Sequence, residues 1–307
     1  MNGGTPTKSV GASGLAQCAD RLREPVTPRT ALVSLHAAVA LFGVAALFGK
    51  WIVLPATAIV LGRTTIAALT LAAIARARGR PPGRANRVLA ASGAILALHW
   101  VSFFGAVQVA SVTVALLGYA SFPLFVLLLE RGPARPAKRI GEYAVALLAT
   151  IGMVALVPDF SSSSDTFRGL ALGLVSGFTF ALLAVRNRRL VAVEAPLRIA
   201  LWQNVFAAIC LAPLVVLLDG AAAMPGTADI ALLVVLGVGC TGLAHTLFIA
   251  SMRHVSAHAA SVVAALEPVY GIALAVALRV DGVPDTRTLV GGLLIVAAAI
   301  GASSAIG

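Results

Sequence analysis

The sequence predicts an all-α membrane protein with ten transmembrane helices arranged as two inverted five-helix repeats. Four observations carry that expectation. Of 307 residues, 59% are hydrophobic and only 11% charged, with a mean hydropathy of +0.97, whereas a soluble domain carries about a quarter charged residues. Apolar runs recur from end to end, each long enough to cross about 30 Å of hydrocarbon as a helix. The two-residue alternation of a barrel strand is missing. Finally, the two halves of the chain resemble each other when one is slid over the other by 145 residues.

The apolar runs place spans at 31–50, 55–76, 88–107, 110–129, 140–157, 168–187, 196–218, 229–251, 256–278 and 287–305. The connections are short. Beyond the N-terminal segment only 76–87, 132–139, 158–167 and 219–229 exceed a tight turn, and none could fold as a separate soluble domain. The first 29 residues are polar and lack the apolar core of a signal peptide, so they read as an uncleaved cytoplasmic tail.

Orientation follows from charge. If the spans alternate from a cytoplasmic tail, 18 of the 23 Lys and Arg fall on the tail side and 4 on the other, Arg63 being inside a span. The tail side holds Arg76, Arg78, Arg80, Arg84 and Arg87 as one cluster and Arg186, Arg188, Arg189 and Arg198 as another. Opposite loops hold Asp159, Asp165, Asp219, Asp229, Asp281 and Asp285. Positive charge is retained inside, so both termini are expected in the cytoplasm and the bilayer is expected to be a bacterial inner membrane.

The repeat lays Phe103 over Phe248, Ser111 over Ser256, Ala115 over Ala260 and Pro123 over Pro268. With small gaps Leu41–Lys50 lies over Gly177–Arg186, and Pro55 over Pro196. Two copies of an odd-numbered helix set must enter the membrane from opposite sides. Inverted repeats are an architecture of secondary transporters, with a site near the midplane between the halves. The expected division is a tail at 1–29, a first repeat at 30–157, a periplasmic linker at 158–167 and a second repeat at 168–307.

Several function classes are excluded as expectations. The net charge of +11 is dispersed among short connections rather than gathered on a nucleic-acid-binding face. Three cysteines, Cys18, Cys210 and Cys240, are too few for a disulfide framework. There is no GxxxxGK[ST] phosphate loop and no nucleophile elbow, so neither ATP hydrolysis nor enzyme chemistry is expected. His254 and His258 are four apart but lack a third ligand and the Glu of a zinc-protease helix, so no metal or other cofactor is expected.

The residues that could carry function are polar or aromatic groups inside apolar spans. His99 and Trp100 sit mid-span, followed by Phe103 and Phe104; a membrane-buried imidazole needs a partner or a wet cavity. His99 reads either as a pocket group beside rings that hold a solute's apolar part or as a histidine packed against a neighbouring helix. Tyr119 lies mid-membrane, away from the interfacial belt, and reads the same two ways. Phe178, His245, Phe248 and Tyr270, from the second half, complete the expected binding set. Arg63 and Glu267 are charges well inside spans. Glu267 reads as a proton-coupling carboxylate, as the partner of Arg63, or as an acceptor for backbone freed by Pro268. Pro123 and Pro268 remove a mid-span hydrogen bond and read as hinges or as static bends. Gly169, Gly173 and Gly177 form a strip for close helix contact. Trp51 and Trp202 read as interfacial anchors.

At this point the chain resembles the drug/metabolite transporter superfamily, and within it the ten-helix EamA-type members. The resemblance is carried by Leu61–Thr64, by Ser121–Phe125 with Glu130, by Leu266–Val269 and by the five-plus-five repeat. It covers about residues 31–305. The chain departs from the pattern at Phe42-Gly43, where such proteins often carry Trp-Gly, and at the end of the ninth span, where Arg279 and Asp281 stand near the place of a usual carboxylate. His99, Trp100 and Tyr119 look like the pocket of YddG-type amino-acid exporters. The resemblance implies a carrier that moves a small metabolite, an amino acid outward by preference, by alternating access. A small-molecule substrate and the lipid bilayer are the expected partners, with the chain functional as a monomer.

Overall fold

The protein is described here by a computed structural model covering residues 27–79, 83–130, 147–148, 151–152, 155 and 164–304. The expected tail, most of the fifth span and most of the linker lie outside them. Among the described residues every regular element is helical.

Helix α1 spans Pro28–Trp51, α2 Ala56–Ala77 and α3 Arg87–Val109. The fourth span is two pieces, α4 (Val112–Tyr119) and α5 (Phe122–Leu129). Next come α6 (Asp165–Leu190) and α7 (Pro196–Leu218). The eighth span is α8 (Thr227–Val235), a π-helical segment over Leu236–Leu243, and α9 (Ala244–Ser251). The ninth is again broken, into α10 (Ala257–Ala264) and α11 (Glu267–Ala277), and α12 covers Thr286–Ser304. Helices therefore lie at nine of the expected spans, and the described residues of the fifth, 147–148, 151–152 and 155, are helical. Among the described residues seven stretches are long and apolar enough to cross a membrane.

The ends of the helices are written locally. Thr27, Asn86, Ser111 and Ser164 each accept a backbone N–H of the first turn on a side-chain oxygen, satisfying donors that have no partner within the helix. Pro28 and Pro196 occupy first-turn positions, where the missing N–H costs nothing. The exposed Asp285 carboxyl is held below the usual carboxylate range by the Thr288 hydroxyl and then by the Thr288 amide, 2.8 Å from Oδ1.

Packing follows a reciprocal pattern. Helix α3 lies on α6 and α7, and in the other half the π segment and α9 lie on α1 and α2. Helix α4 packs on α6 as α11 packs on α1, while α2 meets α7 and α4 meets α11. The glycine strip of α6 makes close approach possible: a Cβ on Gly173 would stand 3.0 Å from Gly118 Cα, and one on Gly177 would stand 2.6 Å from Ser121 Oγ. Because the nearest neighbours of Gly173 are backbone, overpacking cannot be relieved by a rotamer change. Gly173→Leu should cost about 1–3 kcal/mol or more, read as a lowered melting temperature of the purified protein in detergent.

One end of the bundle is tied by side chains from the aspartate-bearing loops. Asp229 Oδ1 accepts the Val53 N–H at 3.0 Å, and Asp281 Oδ2 accepts both the amide and the hydroxyl of Thr113 at 2.9 and 3.0 Å. The Thr57 hydroxyl donates to Asp219, Gln108 Nε2 to the Leu54 carbonyl at 2.7 Å, and Lys50 Nζ to the Ala110 carbonyl at 3.1 Å. These loops are clasped together as well as being topological markers. At the opposite end Arg198 pairs with Glu194 and also donates to the Arg84 carbonyl at 2.7 Å.

Two expectations change here. The prolines do not bend continuous helices; they open new ones. Pro123 and Pro268 each sit in the first turn of a half-helix, α5 and α11. The turns before them tighten to three-residue bonding, Ser121 N–H to the Gly118 carbonyl and Leu266 N–H to the Val263 carbonyl. The eighth span, expected as one α-helix, is interrupted by its π segment. Gly237 lies there because a Cβ would meet Ile66 at 2.7 Å and the Arg63 carbonyl at 3.1 Å.

Candidate functional site

The broken fourth and ninth spans and the π segment converge on one buried cavity. Its wall is Phe42, Ala45, Arg63, His99, Trp100, Phe103, Tyr119, Phe180, His245 and Glu267, drawn from α1, α2, α3, α4, α6, α9 and α11. The free space is about 20 Å³, room for about one water, so the side chains leave no space for a larger molecule.

Arg63 is 1% exposed. Its guanidinium lies 4.1 Å above the centroid of the Trp100 ring and 5.1 Å from that of Phe104. Nε donates to Thr241 Oγ1 at 2.8 Å and Nη2 reaches the Cys240 carbonyl at 3.4 Å. Both partners belong to the π segment, whose irregular winding turns polar groups toward the arginine; π-helical turns concentrate at functional sites. Thr241 Oγ1 in turn donates to the Leu236 carbonyl at 2.8 Å.

Glu267 is the first residue of α11 and is 4% exposed. It lines the same cavity as Arg63, yet no carboxyl oxygen comes within 4.0 Å of the guanidinium, the ion pairs among the described residues being Arg168–Asp165 and Arg198–Glu194. Instead the carboxyl shares the cavity with Tyr119, across the contact between α4 and α11. Its Oε2 is buried without a partner. Of the readings left open by sequence, the direct ion pair is not formed.

His99 is fixed by α6: its Nδ1 is 3.0 Å from the Ser176 carbonyl and 2.9 Å from Ser176 Oγ. The imidazole stacks on Phe180, with centroids 4.7 Å apart at 28°. Rings continue outward from there. Tyr119 lies 5.9 Å from His99, Phe103 6.0 Å from Tyr119, and Phe42 and Phe248 lie 6.1 and 5.1 Å from Phe180.

His245 faces Trp100 edge-on at 5.8 Å and heads a buried polar chain. Its Nε2 is 2.9 Å from Gln203 Oε1, and Gln203 Nε2 donates to Asn187 Oδ1 at 2.7 Å. All three side chains are at most 1% exposed. Gln203→Leu would strand the His245 N–H and the Asn187 oxygen, costing about 1–3 kcal/mol for each buried group left unpaired. A lower melting temperature, with Gln203→Glu less affected because it retains an acceptor, is the expected result.

The expected binding residues are thus placed unevenly. His99, Trp100, Phe103, Tyr119 and His245 line the cavity together with Arg63 and Glu267, and Phe248 stands immediately behind Phe180 and Phe42. Phe178 is 41% exposed and packs on Phe125, while Tyr270 is 37% exposed; neither lines the cavity. Phe180, two residues from Phe178, takes the inward place. Phe42, Ala45, Ser176, Gln203 and Asn187 were not singled out by sequence as site residues. Gln203 and Asn204 carried a usable signal, adjacent amides inside an apolar span. Among the described residues no group of three or more His, Cys, Asp or Glu could hold a metal.

Residues 167–304 match the sequence model of the EamA-like transporter family. The matched stretch runs from the start of α6 through α12 and so covers the second half of the chain. Among solved structures, a protein known from a crystal structure shares the fold with a TM-score of 0.66 at 21% identity, over 89% of this chain and 97% of that one. No curated protein matches the chain.

Proposed function

We propose that the protein is a secondary transporter of the drug/metabolite superfamily that carries an amino acid or similar small metabolite outward across the inner membrane. The observation that carries this reading is the central cavity itself: charged and aromatic side chains from both halves, buried mid-bundle at two broken spans. Discontinuous helices at the meeting of two repeats are where secondary transporters build their solute sites. The family match of the second half and the reciprocal packing of the two halves support ten spans in two inverted repeats with both termini cytoplasmic. The cavity holds about 20 Å³ of free space, too little for an amino acid, so transport requires the helices to part on one side and then the other. With Glu267 as the carboxyl in the cavity wall, movement down the solute's own gradient is the simpler account. The chain acts as a monomer within the bilayer.

Counterflow tests the reading. Purified protein in liposomes loaded with unlabelled solute should accumulate a labelled amino acid from a panel, and His99→Ala should weaken that accumulation. A folded protein that exchanges no amino acid would remove the amino-acid assignment and direct the panel to sugars and drugs.

A further inference from the structure

We infer that the recognised feature of the solute is a carboxylate, and that the end-on pair of Arg63 N–H groups is what binds it. This rests on the cavity being the solute site. A guanidinium carries five N–H donors and no acceptor. One edge of Arg63 is spent on the π segment, Nε on Thr241 Oγ1 at 2.8 Å and Nη2 on the Cys240 carbonyl at 3.4 Å. Those partners are consecutive residues, so they hold the plane of the group from one side. One face lies against Trp100, 4.1 Å from the ring centroid. The end of the fork is different. Among the described residues no group accepts from Nη1 or from the second N–H of Nη2, which leaves three donors on a residue that lines the cavity.

Three properties of this arrangement suit a carboxylate. The end-on N–H groups of Nη1 and Nη2 run parallel, at the spacing that two carboxylate oxygens match in a bidentate pair. The arginine is already held on its other edge and on its face, so little side-chain freedom remains to be lost when a ligand binds. Its charge is buried, at 1% exposure, and no carboxyl oxygen of the described residues comes within 4.0 Å of it. A desolvated cation without a close counter-ion gains most from an anion that supplies one. A carboxamide in the same place offers the fork one oxygen and turns N–H against N–H, and an ammonium brings like charge to it. Two buried atoms of the same wall without partners, His245 Nδ1 and Glu267 Oε2, are left for hydrogen-bond donors elsewhere on the solute.

The experiment is ligand titration of the purified protein, followed by melting temperature and tryptophan fluorescence, with two pairs of probes: leucine against leucinamide, and 4-methylpentanoate against 4-methylpentanamide. In each pair the carboxylate should bind about tenfold or more tightly, the gain of a charge-assisted bidentate contact. Arg63→Met should bring both ratios close to one while the amides bind as before, whereas loss of a purely structural residue would weaken both members of a pair alike. Glu267→Gln, which removes an acid from the wall, should leave the carboxylates bound as tightly or more tightly. If Arg63→Met does not fold, the ratios in the parent protein decide. Amides that bind as tightly as their carboxylates, failure of both carboxylates to bind, or a preference that survives Arg63→Met would overturn the inference. A carboxylate preference without amino-acid counterflow would uphold it while removing the proposed amino-acid cargo. Amino-acid counterflow by a protein with no such preference would do the reverse.

Discussion

Replacing Pro268 by Ala should leave the protein at least as stable as the parent and yet cut solute exchange by about an order of magnitude or more, as expected where opening sets the rate. Proline inside a helix costs about 3 kcal/mol through its missing N–H and its clash with the preceding turn. At position 268 that absence is what lets α10 end at Ala264 and α11 begin at Glu267. An alanine N–H could bond the Ala264 carbonyl, fuse the two pieces and rotate Glu267 out of the cavity wall. The melting temperature should therefore hold or rise while counterflow falls, a trade of activity for stability. Pro123→Ala should act in the same direction on α4 and α5, more weakly because no charged residue opens α5. A variant that loses stability and activity together would mark the break as structural only.

The second large effect is at Arg63. Truncation to Ala removes a desolvated cation–π contact worth about 2 kcal/mol and a hydrogen bond from a charged donor worth about 1.5–3 kcal/mol. It also leaves the Thr241 hydroxyl and a void beneath Trp100. A loss of about 3 kcal/mol or more is expected, seen as a large fall in melting temperature. Arg63→Met fills the void and relieves the burial of a charge, and such replacements are often neutral for stability. It should recover most of the melting temperature without recovering exchange. Arg63→Lys should recover little of either, since a compact ammonium cannot lie flat over Trp100 while reaching both groups of the π segment.

The apolar helices among the described residues were legible in the sequence because bilayer thickness sets their length and composition sets their apolarity. Which face of each span turns inward was much less so. Lipid tails and a helix-bundle core are equally apolar, so Phe178 and Phe180 carry the same hydropathy although one faces outward beside Phe125 and the other stacks on His99. Polar groups escape that degeneracy, because burial in hydrocarbon demands a partner. His99, Tyr119, His245, Arg63 and Glu267 were visible on that ground and do line the cavity. Gln203 and Asn187 obey the same rule, being joined to His245 by hydrogen bonds of 2.9 and 2.7 Å. The π segment was not readable from periodicity: Gly237, Gly239 and Gly242 permit it, but the Arg63 contacts that hold it come from a helix 177–178 residues earlier.

The prolines show how a local rule can be right and its consequence misjudged. Loss of the mid-span bond follows from residue type alone. Whether the chain bends or restarts depends on what the freed groups meet, and here the Ser121 hydroxyl donates to the Gly118 carbonyl at 2.7 Å while the Ser121 and Leu266 N–H groups close tight turns onto the Gly118 and Val263 carbonyls.

The central claim is that a solute passes through the cavity between the two halves, and a cysteine at Ala45, in the cavity wall, tests it most directly. In a background with Cys18, Cys210 and Cys240 replaced, Ala45→Cys in sealed vesicles should react with a membrane-impermeant thiol reagent applied to either side. An amino acid that supports counterflow should protect it from both. A cysteine that stays unreactive from both sides while the same vesicles exchange solute would place the path elsewhere and contradict the account.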